Sequence, residues 1–198
     1  MFFFYPTKQI TTGEGGIVIT NKKNIYLKIK KLKAFGIDKD LNERKKVGFY
    51  DVKKLGFNYR MTDFQAAMGY FQLKRYKKNL LKRKKIANYY SKHLIKEKKI
   101  KFPKFSKDNS YFIFQILCNN RDKIAQDLKK LNIGTSIHYA TQLPKMSYYK
   151  KKYNLNLKNF KNAEAYAKNN ISLPNYPKLK YSEIKFICSK IIRLLNNG

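Results

Sequence analysis

A lysine held between a proline and a cluster of glycines constrains this chain more than any other feature. Phe4-Tyr5-Pro6-Thr7-Lys8 leads through Gln9-Ile10-Thr11-Thr12 into Gly13-Glu14-Gly15-Gly16, and the β-branched run Ile17-Val18-Ile19-Thr20 follows at once. Pro6 presets one backbone angle, and the glycines allow backbone shapes closed to other residues. The pattern predicts a lysine on a tight loop beside a short buried strand. A lysine in an apolar pocket loses proton affinity, because burial disfavours the charged form, and its neutral amine can then form a Schiff base with an aldehyde. The residues alone leave a second reading open. The chain is rich in lysine, and a lysine beside a turn is usually solvated.

Four segments resemble one family. The Lys8 stretch resembles the cofactor-lysine segment of the DegT/DnrJ/EryC1/StrS family, pyridoxal-phosphate-dependent aminotransferases acting on nucleotide-linked keto-sugars. Gly56-Phe57-Asn58-Tyr59-Arg60-Met61-Thr62-Asp63-Phe64-Gln65-Ala66-Ala67 is similar to its G-x-N-Y-R-M-(T/S)-(D/E)-x-Q-A-A signature. Ile133-Gly134-Thr135-Ser136-Ile137-His138-Tyr139 resembles its IGT-x-x-HY strand, and Ile171-Ser172-Leu173-Pro174-Asn175-Tyr176-Pro177 its LSLP-x-YP turn. The blocks occur in family order.

The resemblance implies a fold class: α/β, the C-terminal part of a fold type I transferase. Residues 1–104 would form the end of the large cofactor domain with a long helical region, and residues 105–198 a small α+β domain. It implies that Lys8 is catalytic and carries pyridoxal phosphate, and that Asn58 reaches the cofactor phosphate of a neighbouring subunit, which makes a homodimer part of the mechanism. Tyr5, Arg60, His138 and Tyr139 become candidate substrate contacts. The implied reaction moves an amino group from a donor such as glutamate to a nucleotide-linked keto-sugar, for polysaccharide or related sugar biosynthesis. Read without the family, Asn58 is equally a turn residue, Arg60 a structural ion-pair partner and His138 a satisfied structural group.

The chain also departs from the pattern. Phe3 stands where the family commonly has a serine that helps hold the cofactor phosphate. The resemblance covers roughly the C-terminal half of a family member. No residue here matches the aspartate that pairs with the pyridine nitrogen. The expectation is a fragment, a split gene product or a degraded gene, inactive alone, with a separate N-terminal chain as one partner.

Composition limits the alternatives. Net charge is +33, yet six of the 45 basic residues are arginine, and the lysines are spread along the chain. Dedicated phosphate and base readers favour the arginine fork, so the excess reads as coding bias and not as specific nucleic-acid binding. A lysine-rich nucleic-acid-binding or scaffold protein on a decayed aminotransferase half is the alternative. The two cysteines, Cys118 and Cys188, form no C-x-x-C pattern, and no metal-type cluster exists. A reducing cytoplasm fits them. No apolar run reaches the ~18 residues of a membrane span, and Met1-Phe2-Phe3-Phe4 is too short for a signal peptide.

Periodicity predicts a helix capped by Asn21, from Lys22 to about Phe35, with Ile25, Ile29 and Leu32 on one face and Gly36 ending it. An irregular stretch with Asp38, Asp40 and Gly48 follows. Thr62-x-x-Gln65 is a capping-box pattern opening a helical region towards Leu94, where a break is allowed near Lys77-Lys78. Pro103 and the polar stretch Ser106-Lys107-Asp108-Asn109 mark the boundary between packing units. Beyond it the pattern predicts strands over 111–118 and 134–139. It also predicts helices over 122–131, 160–169 and 181–195, with a helical turn at 148–153.

Overall fold

The computed structural model describes residues 1–39, 41–103, 106 and 108–197. Asp40 of the irregular stretch, and Lys104, Phe105 and Lys107 around the expected domain boundary, lie outside the described residues. The chain forms two compact units, Met1–Lys77 and Lys78–Gly198.

In the first unit, β1 (Phe2–Phe3) pairs antiparallel with β2 (Gly16–Ile17). Helix α1 spans Lys23–Leu32. Its N-cap is Lys22 and not Asn21; the Lys22 N–H bonds the Thr20 hydroxyl at 3.1 Å. The helix stops short of Phe35, because Phe35 and Gly36 both take positive φ, and the Gly36 N–H bonds back to the Lys31 carbonyl at 3.0 Å. Helix α2 (Asp63–Leu94) opens as its sequence dictates. The Gln65 N–H donates to the Thr62 hydroxyl at 3.2 Å, and the Thr62 N–H to Gln65 Oε1 at 3.1 Å. The helix continues through Lys77-Lys78 unbroken.

The second unit holds the core. Ile86, Ala87, Tyr90 and Leu94 of α2 pack into a cluster with β3 (Phe114–Leu117), α3 (Arg121–Lys130), β4 (Asn170–Leu173) and α6 (Tyr181–Asn196). Tyr90 and Phe114 stack with centroids 5.0 Å apart. Strands β3 and β4 pair antiparallel, Phe114 opposite Leu173 and Leu117 opposite Asn170. Helix α6 buries Ile184, Ile187, Cys188, Ile191 and Leu195, the stripe its spacing predicts. Each such side chain contributes about 1.5–3 kcal/mol when fully buried. Two shorter helices, α4 (Ser147–Tyr153) and α5 (Lys161–Asn169), complete the unit.

The strand expected over 134–139 does not form. The segment makes a single bridge, Ser136 with Ser172, and the His138 N–H then bonds the Asn170 side chain at 2.9 Å and not a strand. Strand β4 instead takes its place beside β3, at the expected turn of the fourth motif. Among the described residues, no helix is long and apolar enough to cross a membrane.

Candidate active site

Residues 5–8 form a β-turn, with the Lys8 N–H on the Tyr5 carbonyl at 2.9 Å and Pro6 at the position whose angle it presets. The hairpin of β1 and β2 continues into the loop. Phe4 N–H bonds the Gly15 carbonyl at 2.9 Å, and Thr12 N–H the Phe4 carbonyl at 3.0 Å. Gln72 of α2 then clamps the loop as a strand would, accepting from the Thr11 N–H at 3.1 Å and donating to the Thr11 carbonyl at 2.5 Å. Gln65 Nε2 donates to the Glu14 carbonyl at 3.3 Å. Gly15 sits at φ +135°, and a Cβ there would lie 2.8 Å from the Met61 side chain. The first two motifs are therefore one structural device: the start of α2 holds the lysine loop. Glu14 acts in it through its backbone, as a turn former.

Lys8 is exposed, and so are Tyr5, Asn58 and Arg60. The expected apolar pocket around Lys8 does not form among the described residues of this unit. Its strand is two residues long, Ile17, Val18 and Ile19 are exposed, and only Thr12 and Gly36 are buried among the unit's described residues.

Asn58 is placed by backbone pairing with the end of α1. Phe57 N–H bonds the Leu32 carbonyl at 2.7 Å, Tyr59 N–H the Lys33 carbonyl at 2.9 Å, and Phe35 N–H the Phe57 carbonyl at 3.0 Å. This approach requires Gly56. A Cβ there would stand 2.1 Å from the Gly36 nitrogen and 2.5 Å from the Phe35 carbonyl carbon. Arg60 lies over the Phe35 ring, 5.1 Å from its centroid, and its Nε–H donates to Asn58 Oδ1 at 3.3 Å. That bond engages the amide oxygen, so the donor of the Asn58 side chain is Nδ2.

The third and fourth motifs meet in the second unit. Backbone bonds join Ser136 and Ser172 in both directions, at 2.7 and 3.1 Å. His138 Nδ1 lies 2.9 Å from Ser172 Oγ, and its carbonyl accepts from Gln115 Nε2 at 3.0 Å. The Tyr166 hydroxyl holds that amide through Gln115 Oε1 at 2.6 Å. Asn170, fully buried, donates through Nδ2 to the carbonyls of Tyr166 and Tyr139 at 2.9 and 3.2 Å. Arg121 Nη1 donates to the Asn170 carbonyl at 2.9 Å. Tyr139 itself is exposed. A cavity of about 200 Å³ lies beside His138, lined also by Phe112, Ile113, Thr135, Ser172 and Pro174.

Comparison with known proteins decides the family, for the model of the DegT/DnrJ/EryC1/StrS aminotransferase family matches residues 1–192. The chain belongs to this family. It is similar to UDP-4-amino-4,6-dideoxy-N-acetyl-beta-L-altrosamine transaminase of Campylobacter jejuni (strain 81-176), 33% identical over 202 residues that cover 98% of this chain and 52% of that protein. Among solved structures it resembles Helicobacter pylori PseC, an aminotransferase involved in pseudoaminic acid biosynthesis. The TM-score is 0.88 at 26% identity, over 98% of this chain and 52% of that one. The PLP-form of Spr1654 from Streptococcus pneumoniae shares the fold, with a TM-score of 0.83 at 24% identity over 99% and 51% of the two chains. The chain thus spans about half the length of the curated relatives it matches. The fold is that of the C-terminal part of a fold type I enzyme, and the family's aminotransferases use pyridoxal phosphate.

The residues present fit that cofactor chemically. Lys8 is an exposed lysine on an anchored loop, and Asn58, whose amide oxygen accepts from Arg60, carries a donor in Nδ2. Phe3, in the family's usual serine position, is exposed and offers no donor. Sequence reasoning passed over Gln72, Gln115, Tyr166 and Asn170. Their partners lie 61, 23, 51 and 32 residues away, and no local pattern marks them.

Proposed function

We propose that this chain supplies the lysine-bearing half of an aminotransferase that moves an amino group from an amino acid, glutamate by class, to a nucleotide-linked keto-sugar in polysaccharide or related sugar biosynthesis. The observation that carries the reading is the Lys8 loop, gripped by Gln65 and Gln72 from the start of α2. When bound, pyridoxal phosphate supplies a carbonyl for amine exchange and an electron sink. Lys8 Nζ would bind the cofactor and, once displaced, hold the proton that shifts during amino transfer. Asn58 Nδ2 would donate to the phosphate, across a homodimer interface. Tyr5, Arg60, His138 and Tyr139 would contact substrate, and Arg60 would also orient Asn58.

On this reading residues 1–104 belong to the large cofactor domain and 105–198 to the small one, in a cytoplasmic enzyme. A polypeptide equivalent to the half of the relatives that this chain does not span completes the site, and the chain alone does not transaminate. The test is reductive trapping of pyridoxal phosphate in the presence of that polypeptide, followed by peptide mapping. The label should concentrate on Lys8 and vanish from the Lys8→Ala protein. Label spread evenly over the many surface lysines would refute the assignment.

A further inference from the structure

The Ser172 hydroxyl has one hydrogen-bond partner among the described residues, His138 Nδ1 at 2.9 Å. Ser172 is 4% exposed, and its backbone N–H and carbonyl are both committed to Ser136. A buried hydroxyl proton needs an acceptor. If Nδ1 carried the ring proton it would donate to Ser172 Oγ, and the hydroxyl hydrogen would be left with no protein acceptor among the described residues. Among those residues the bonding is complete when Ser172 donates and Nδ1 accepts, which puts the ring proton on Nε2. His138 is fixed elsewhere too, through its N–H on Asn170 and its carbonyl on Gln115. Nε2 is the ring atom left without a protein partner among the described residues.

We propose that Ser172 is a positioning residue that sets His138 in its Nε2–H form, so that the histidine offers a donor, never an acceptor, to a ligand in the adjoining cavity. A donor there selects an acceptor oxygen, of the kind a nucleotide-linked sugar carries on its phosphates and carbonyls. This second step rests on the reading of His138 as a substrate contact; the tautomer does not.

His93 gives an internal reference. Its Nδ1 lies 3.0 Å from the Tyr89 carbonyl, which can only accept, so His93 carries its proton on Nδ1. The chain has two histidines, and the structure assigns them opposite tautomers.

The experiment is long-range proton–nitrogen NMR of the ¹⁵N-labelled full chain, at a pH where both rings are neutral. His93 should show a protonated Nδ1 and His138 a protonated Nε2. Ser172→Ala should mix the His138 tautomers and leave His93 unchanged, and Ser172→Thr should restore the single form. A wild-type His138 protonated on Nδ1 overturns the proposal whether or not the variants fold. An unchanged His138 signal in a folded Ser172→Ala protein also overturns it. Uridine diphosphate, added to the complex with the completing polypeptide, should shift the His138 Nε2–H resonance. Absence of that shift with the tautomer intact removes the substrate contact and leaves the Ser172 assignment standing.

Discussion

Replacing Asn170 with alanine tests how the His138 segment is held. Asn170 is fully buried, and its side chain serves four backbone groups. Not all four losses count. The Tyr166 carbonyl keeps the Asn170 backbone N–H, the Ala167 carbonyl keeps Arg121 Nη1 at 3.3 Å, and Tyr139 is exposed enough for water to replace the amide. The uncompensated loss is the His138 N–H, whose acceptor is Asn170 Oδ1 at 2.9 Å. An orphaned donor costs about 1–3 kcal/mol when buried, and the half-buried His138 N–H is expected to lie in the lower part of that range. The cavity left by the amide adds to it, so a total of about 2–4 kcal/mol is expected. Urea unfolding followed by far-UV circular dichroism measures it. Asn170→Asp should be worse than alanine, although it keeps the acceptor, because it buries a carboxylate against the Tyr166 and Ala167 carbonyls. A loss below about 0.5 kcal/mol for alanine, or an aspartate variant as stable as wild type, would refute the reasoning.

Two further predictions concern the cysteines and Gly56. Burial pushes the thiols of Cys118 and Cys188 up, to about 11 and about 12, so neither should react with iodoacetamide at pH ~8 until urea exposes it. Because the unfolded chain releases these protons first, near the ordinary thiol value of 9.0, the urea midpoint should fall as pH rises from 9 towards about 11; a midpoint that is flat or rising there would contradict the burial. Gly56→Ala drives a Cβ into the backbone of Phe35 and Gly36, at 2.5 and 2.1 Å. It should cost about 1–3 kcal/mol and speed hydrogen exchange at the Phe57 and Tyr59 amides. Unchanged protection at both would show that the contact does not hold Asn58.

What could be read from the sequence was what local chemistry determines. The Thr62–Gln65 cap, the α6 stripe and the Pro6 turn each rest on residues within a few positions of one another, so pattern and structure agree. Strand β4 escaped because all four of its residues are buried, polar Asn170 and Ser172 included. Their polar groups are satisfied by Arg121, His138 and Ser136, which no single-sequence period can announce. The strand over 134–139 was expected from the segment's pattern and its resemblance to the family's IGT-x-x-HY strand, and it fails because one of its N–H groups belongs to Asn170. The Lys8 segment was legible as a loop, whereas the Gln72 clamp and the exposure of Lys8 were not.

That exposure follows from where the chain's apolar side chains go. The hydrophobic residues buried in the core run from Ile86 to Leu195, and none precedes them among the described residues. In the first unit Phe2, Phe3, Ile19, Phe64 and Phe71 are each 57–76% exposed. Covering these five would release about 5–10 kcal/mol, comparable to the whole stability of an ordinary domain. On the proposed reading, the polypeptide that completes the site is therefore a folding partner of the first unit before it is a catalytic one. It also sets the chemistry of Lys8. The loop's backbone bonds hold Lys8 in place, and what is laid against its side chain would decide the surroundings of the amine. Position is built into this chain, and reactivity would come from what covers it.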